Sequence, residues 1–211
     1  STYIRYIGAG ALAAGGIISL IKSLPLIVKT FAGAMKSISG AGATSNERTA
    51  QDINLKVVII AILVLTLLVW LIPAIPVSLL GAFIVVIFGF FFATVSSRMV
   101  GLVGSSNNPV SGMAIATLLI ATLILKVTGA EGAAGMASAI AIGSIICIVS
   151  AIAGDTSQDL KTGYILGATP KKQQIGEILG AVVAAFTIGV VLLLLNNAYG
   201  YGTDELPAAQ A

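Results

Sequence analysis

The side chains able to do chemistry gather in two polar stretches. The first, residues 101–112, holds Asn107, Asn108, Ser111 and Gly112. Amides and a hydroxyl can give and take hydrogen bonds, and the glycines add backbone freedom. The second, residues 154–174, holds Asp155, Asp159 and Lys161, then the pair Lys171 and Lys172. Two carboxylates four residues apart serve as proton or cation sites if they line a cavity, and as a solvated charge cluster if they lie at the surface. Glu177 follows at the start of the next apolar run. It is either a proton-coupling carboxylate, for which burial supplies the needed proton affinity, or a side chain that snorkels to the interface. The chain has no histidine, which removes His-ligated metals and His-based triads. Without a phosphate loop, a metal-ligand cluster or a nucleophile beside a base, neither a cofactor nor an enzyme activity is expected. The lone Cys147 lies in an apolar run, reads as a small core residue and leaves no internal disulfide.

The elements that must position these groups follow from composition. Of 211 residues, 57% are hydrophobic and 9% charged, with a mean hydropathy of +1.06. A soluble surface needs about 25% charged residues, so the class is integral membrane protein. Six apolar segments are long enough to span: residues 4–21, 57–72, 77–97, 109–127, 133–153 and 175–195. Backbone in lipid must satisfy itself, so the expected fold is all-α, a polytopic helical bundle of about six spans. Pro109 drives Asn108 out of helical geometry, which predicts a broken or re-entrant helix there, with Asn108 as N-cap. Such a break either lines a cavity, where its N–H groups and helix start suit a carboxylate, or is a surface loop. Thr169 and Pro170 start a helix by the same rule, which puts Lys171 and Lys172 against the helix dipole. Anionic lipid headgroups would offset that cost.

Basic residues set the topology. With residues 22–56, Arg98 and the 154–174 loop on the cytoplasmic side, nine basic residues lie inside and two, Arg5 and Lys126, outside. The net charge of +3 is thereby accounted for by topology and not by nucleic acid. Tyr3, Tyr6, Trp70, Tyr199 and Tyr201 fall at predicted helix ends, as interfacial aromatics do. Residues 22–56 read as a cytoplasmic amphipathic helix and loop. Lys22, Lys29 and Lys36 recur every seven residues before a Gly/Ala/Ser/Thr-rich stretch. Small residues four apart (Ala11, Gly15 and Ser19; Gly135, Ala139 and Gly143; Gly176, Gly180 and Ala184) predict close helix packing.

The run Asp155-Thr156-Ser157-Gln158-Asp159-Leu160-Lys161-Thr162-Gly163, with Leu166-Gly167-Ala168-Thr169-Pro170-Lys171-Lys172-Gln173-Gln174, resembles the signature of the oligopeptide transporter family. That family includes the yellow-stripe-like metal-chelate transporters. Asn107-Asn108-Pro109-Val110-Ser111-Gly112-Met113 resembles a second motif, from the prokaryotic branch, and residues 206–211 resemble the start of a third. The resemblance implies a proton-coupled secondary transporter of small peptides, peptide-like compounds or metal chelates, working by alternating access in the cell membrane. It also implies that residues 1–211 are one helical domain of a longer transporter. Asn107, Asn108, Ser111 and Gly112 would bind substrate, and Asp155, Asp159, Lys161 and Glu177 would couple protons or gate. The expected partners are the solute, protons, membrane lipids, the remainder of the transporter chain and a second copy. The competing readings are a non-transporting scaffold subunit and a passive channel.

Overall fold

The computed structural model describes residues 47–130 and 132–200, with isolated helical positions between Tyr3 and Lys29. The predicted span at residues 4–21, the lysine stripe at 22–39, most of the loop before residue 52 and the motif at 206–211 lie largely or wholly outside the described residues. Among the described residues all regular structure is helical. The long helices are α1 (Leu55–Leu71), α2 (Leu79–Val103), α3 (Val110–Val127), α4 (Gly132–Leu166) and α5 (Pro170–Tyr199). Short 3-10 turns stand at Arg48–Ala50 and Ser105–Asn107. All five long helices have the length and apolarity to cross a membrane.

Local chemistry sets the ends. The Asn54 side chain accepts from the Lys56 N–H at 2.9 Å and opens α1. Ser78 does the same for α2, accepting from the Gly81 N–H at 3.2 Å. Helix α2 stops at Gly104, whose φ of 82° is a conformation glycine adopts freely. Helix α5 begins with Pro170 in its first turn, as the sequence requires.

Helix α4 is the axis of the bundle, and α2 and α3 make most of their contacts with it. Phe92 and Val95 of α2, Met113 and Ala116 of α3 and Ile146 of α4 form one buried cluster. A second joins Ala82 and Ile84, Ala121 and Leu125, and Ala139 and Ile142. The Gly135/Ala139/Gly143 stripe is buried, as close packing demands. A Cβ on Gly143 would stand 2.6 Å from Leu118 Cδ2 of α3. Helices α1 and α5 have no buried residue, and the Gly176/Gly180 stripe meets nothing. Helices this apolar on every side are solvated by lipid or by further protein, not by water.

One expected loop is a helix. The region read as a 154–174 signature loop continues α4 without a break to Leu166, and the chain turns only at residues 167–169. Nothing from Gly154 to Leu166 interrupts a helix. No proline occurs there, and Ser157 and Thr162 bond back to the carbonyls of Ala153 and Gln158. Its polarity marks the exit from lipid rather than the end of the helix. At 35 residues α4 is about 52 Å long, against about 30 Å of hydrocarbon. Helix α2 likewise runs on past Ser97 to Val103.

Gly143→Val forces two methyl groups onto Leu118 and is expected to cost about 1–3 kcal/mol. A lowered melting temperature in detergent reads it. Gly101→Ala, whose added carbon meets nothing within 4 Å in the last turn of α2, holds or slightly raises the melting temperature, because alanine is the better helix former.

Candidate functional site

Both polar stretches meet at one end of the bundle. Beyond Gly104 the chain makes its 3-10 turn and passes through Asn108 (φ −63°, ψ 125°) and Pro109 into α3. The extended Asn108 is the pre-proline effect at work. Its side chain does not cap α3, correcting the expectation. Pro109 occupies the cap position and no side chain bonds to the helix start. The Asn108 amide instead turns into the seam between α2 and α4. Its Nδ2 donates to Ser96 Oγ at 2.5 Å and to the Ser150 carbonyl at 3.4 Å. Ser96 Oγ in turn donates to the Ser150 carbonyl.

One glycine makes the seam possible. A Cβ on Gly154 would lie 2.8 Å from Asn108 Nδ2, 2.9 Å from Val100 and 3.1 Å from Ser96 Oγ. Only a residue without a side chain lets groups of α2, α4 and the connecting turn converge there. One turn further along, Ser97 Oγ hydrogen-bonds Ser157 Oγ, which donates to the Ala153 carbonyl at 2.7 Å. The Gln158 side chain accepts from the Ser105 N–H at 3.2 Å and ties the connecting turn to α4. Ser96 and Ser150 are fully buried. Asn108 Oδ1 and Ser150 Oγ are enclosed with no hydrogen-bond partner. Burying such groups unpaired costs free energy, so the seam holds spare hydrogen-bonding capacity.

The other predicted residues divide. Gly112 is buried in helix contact, whereas Ser111 is exposed. Asn107 is exposed too, and its Nδ2 donates to the Val103 carbonyl at 3.4 Å. These residues do not form one cluster with Asn108. Asp155, Asp159 and Lys161 are exposed; the two carboxylates lie on the side of α4 turned from Gly154, whereas Lys161 continues the Ser150/Gly154/Ser157 face beyond the seam. Lys161 Nζ lies 5.0 Å from the centre of the Tyr164 ring, a cation–π contact. Lys171 and Lys172 are exposed at the start of α5, where the Lys171 N–H donates to the Gln51 carbonyl at 2.9 Å.

Two concavities flank α4. A groove of about 750 Å³ between α2 and α4 is lined by Thr94, Ser97, Arg98, Thr156 and Ser157 with apolar neighbours. A smaller cleft of about 280 Å³ lies between α1, α4 and α5. Ile53, Ile152, Thr156, Gln174, Glu177 and Ile178 are among its lining residues. Glu177 is half-buried in this cleft, with Oε1 enclosed and unpartnered. Thr156 lines both spaces. Sequence reasoning counted Arg98 only for topology and missed Ser96, Ser97, Ser150 and Thr156. Hydroxyls on apolar spans gave no signal that could separate them from ordinary packing.

The model of the OPT oligopeptide transporter protein family matches residues 1–211. The chain belongs to the oligopeptide transporter family. A Haemophilus influenzae protein named "Putative oligopeptide transporter" is 31% identical over 224 residues. The match takes in 95% of this chain and 35% of that protein, so the chain spans about a third of the relative's length. No solved structure matches. The family is one of transporters, not enzymes, and the chain is a multi-pass membrane protein.

Asn108→Asp puts a carboxylate oxygen where an N–H met Ser96 and the Ser150 carbonyl. It is expected to destabilise by about 1–3 kcal/mol, more than Asn108→Ala, which only removes the donor. Thermal melting of both variants in detergent checks the order.

Proposed function

We propose that this chain is part of a proton-coupled secondary transporter in the cell membrane, moving small peptides, peptide-like compounds or metal chelates by alternating access. Family membership supports transport. The observation that carries the coupling is the sharing of Thr156 by the groove and the cleft. A solute space and a carboxylate space thus stand back to back across one helix. Movement of α4 alters both together, as coupling requires.

In this reading the groove takes the solute. Arg98 offers the fixed positive charge that a peptide or chelate carboxylate would seek, and Thr94, Ser97 and Ser157 supply hydroxyls around it. Asn108, one turn along the seam, holds α2 and α4 in register and serves substrate binding through them. Glu177 carries the coupling proton. Among the described residues its cleft holds no other ionisable lining residue, and Oε1 is shut away from solvent and partners. Asp155, Asp159 and Lys161 face outward and act as gating charges at the cytoplasmic mouth. Lys171 and Lys172 meet anionic headgroups there.

The complete protein in proteoliposomes, given an inward pH gradient, should accumulate a peptide or chelate above its external level. Accumulation indifferent to the gradient would overturn the proton claim. Glu177→Gln should abolish gradient-driven accumulation yet keep solute exchange between equal pools, because only the proton-carrying step is lost. Asp155→Asn, at a gating charge and not at the proton site, should slow uptake but leave the gradient able to drive accumulation. If Glu177→Gln accumulates normally, the proton is carried elsewhere.

A further inference from the structure

Residues 48–54 run across the polar end of the Glu177 cleft, and four hydrogen bonds hold them there. Arg48 Nη1 donates to Thr169 Oγ1 at 3.3 Å. The Lys171 N–H donates to the Gln51 carbonyl at 2.9 Å. The Ile53 N–H donates to Gln174 Oε1 at 3.1 Å, and Gln174 Nε2 donates to Asp52 Oδ1 at 3.3 Å. These partners are more than a hundred residues apart in the chain. Gln174 is the hub: both ends of its amide bind the strap, while Gln174 and Ile53 themselves line the cleft.

Gln174, Glu177, Ile178 and Ala181 share one face of α5, so Glu177 lies one turn behind the strap. The strap contains only a single 3-10 turn, is exposed apart from half-buried Ile53, and has no buried apolar anchor. Segments fastened only by a few water-accessible polar bonds open locally at far lower cost than packed helices. Its far end is fixed at Asn54, the cap of α1, which gives it a hinge. Charged groups near the mouth are Arg48 and Asp52 on the strap with Glu47 just before it, Lys171 and Lys172 at the start of α5, and exposed Asp155 and Asp159 on α4. Among the described residues, Glu177 is the one ionisable group that lines the cleft.

We propose that the Arg48–Asn54 strap is the gate that controls water and proton access to Glu177, with Gln174 as its latch. The proposal rests on the reading of Glu177 as the coupling carboxylate, but the position of the gate is tested separately. With the strap closed, Ile53 and Gln174 wall off the carboxylate. With it released, the carboxylate exchanges its proton with the solution on that side.

Two experiments on the complete transporter decide it, both with its native cysteines, Cys147 included, replaced by serine. First, Glu177→Cys is labelled with a small membrane-impermeant thiol reagent, with and without Gln174→Leu. Loss of the latch should speed labelling roughly tenfold, the effect of removing its two hydrogen bonds, one of them part-buried, from a local opening equilibrium. An unchanged rate overturns the gate. This readout needs no transport, so it stands even if the proton-coupled reading fails. Second, with Glu177 retained, Asp52→Cys and Gln174→Cys are oxidised to a disulfide. Gradient-driven uptake should fall to background and return on reduction. Failure to cross-link, or full uptake while cross-linked, overturns the proposal.

Discussion

Water is absent from the hydrocarbon layer, so every polar backbone or side-chain group there must find its partner in protein, and the rest of the structure answers to that rule. It explains why α4 is the axis. The polar connection between α2 and α3 is pressed against α4 and stitched to it by Asn108, Gln158 and the serines of both helices. Gly154 decides whether that stitch can close, since any side chain would occupy the space of the Asn108 amide. A break without such a backing helix would leave bare donors in lipid.

The same rule separates the five helices into two groups. Helices α2, α3 and α4 bury side chains against one another, with alternating small and large residues filling the space between them. Helix α1 meets this core through Val69, at the end away from the strap, and α5 is tied to α4 at the Gln173/Gln174 turn. Gln173 Nε2 reaches the Asp159 carbonyl at 3.1 Å, and Gly163 leaves room for it. Their remaining surface is apolar and open. A core bearing fixed polar groups and outer helices fastened by a few hydrogen bonds is an arrangement in which the outer elements shift more easily.

Fold class was legible because hydropathy and length suffice for spans: residues 57–72 and 109–127 match α1 and α3 within a few positions. The break at Asn108 and Pro109 was legible as well, because proline restricts its predecessor by steric contact alone. The state of residues 154–166 was not. Polar composition was taken for loop, but helix formation depends on the absence of breakers, and that stretch has none. The Asn108 contact was out of reach for a different reason. An amide before a proline is equally suited to capping a helix or crossing to a neighbour. The choice falls to Gly154, Ser96 and Ser150, which are distant in sequence and unremarkable in type. The 48–54 strap was hidden likewise, since its partners lie at residues 169–174.

Helix α4 runs from its buried half to its charged half as one continuous helix, and the seam from Ser150 to Gly154 lies near its middle. A stiff rod pinned there is a lever. Tilting the apolar arm swings the arm bearing Asp155, Asp159 and Lys161 the opposite way, and the turn into α5 is carried with it. Mechanical work done on either arm is therefore delivered to the other without any intervening joint.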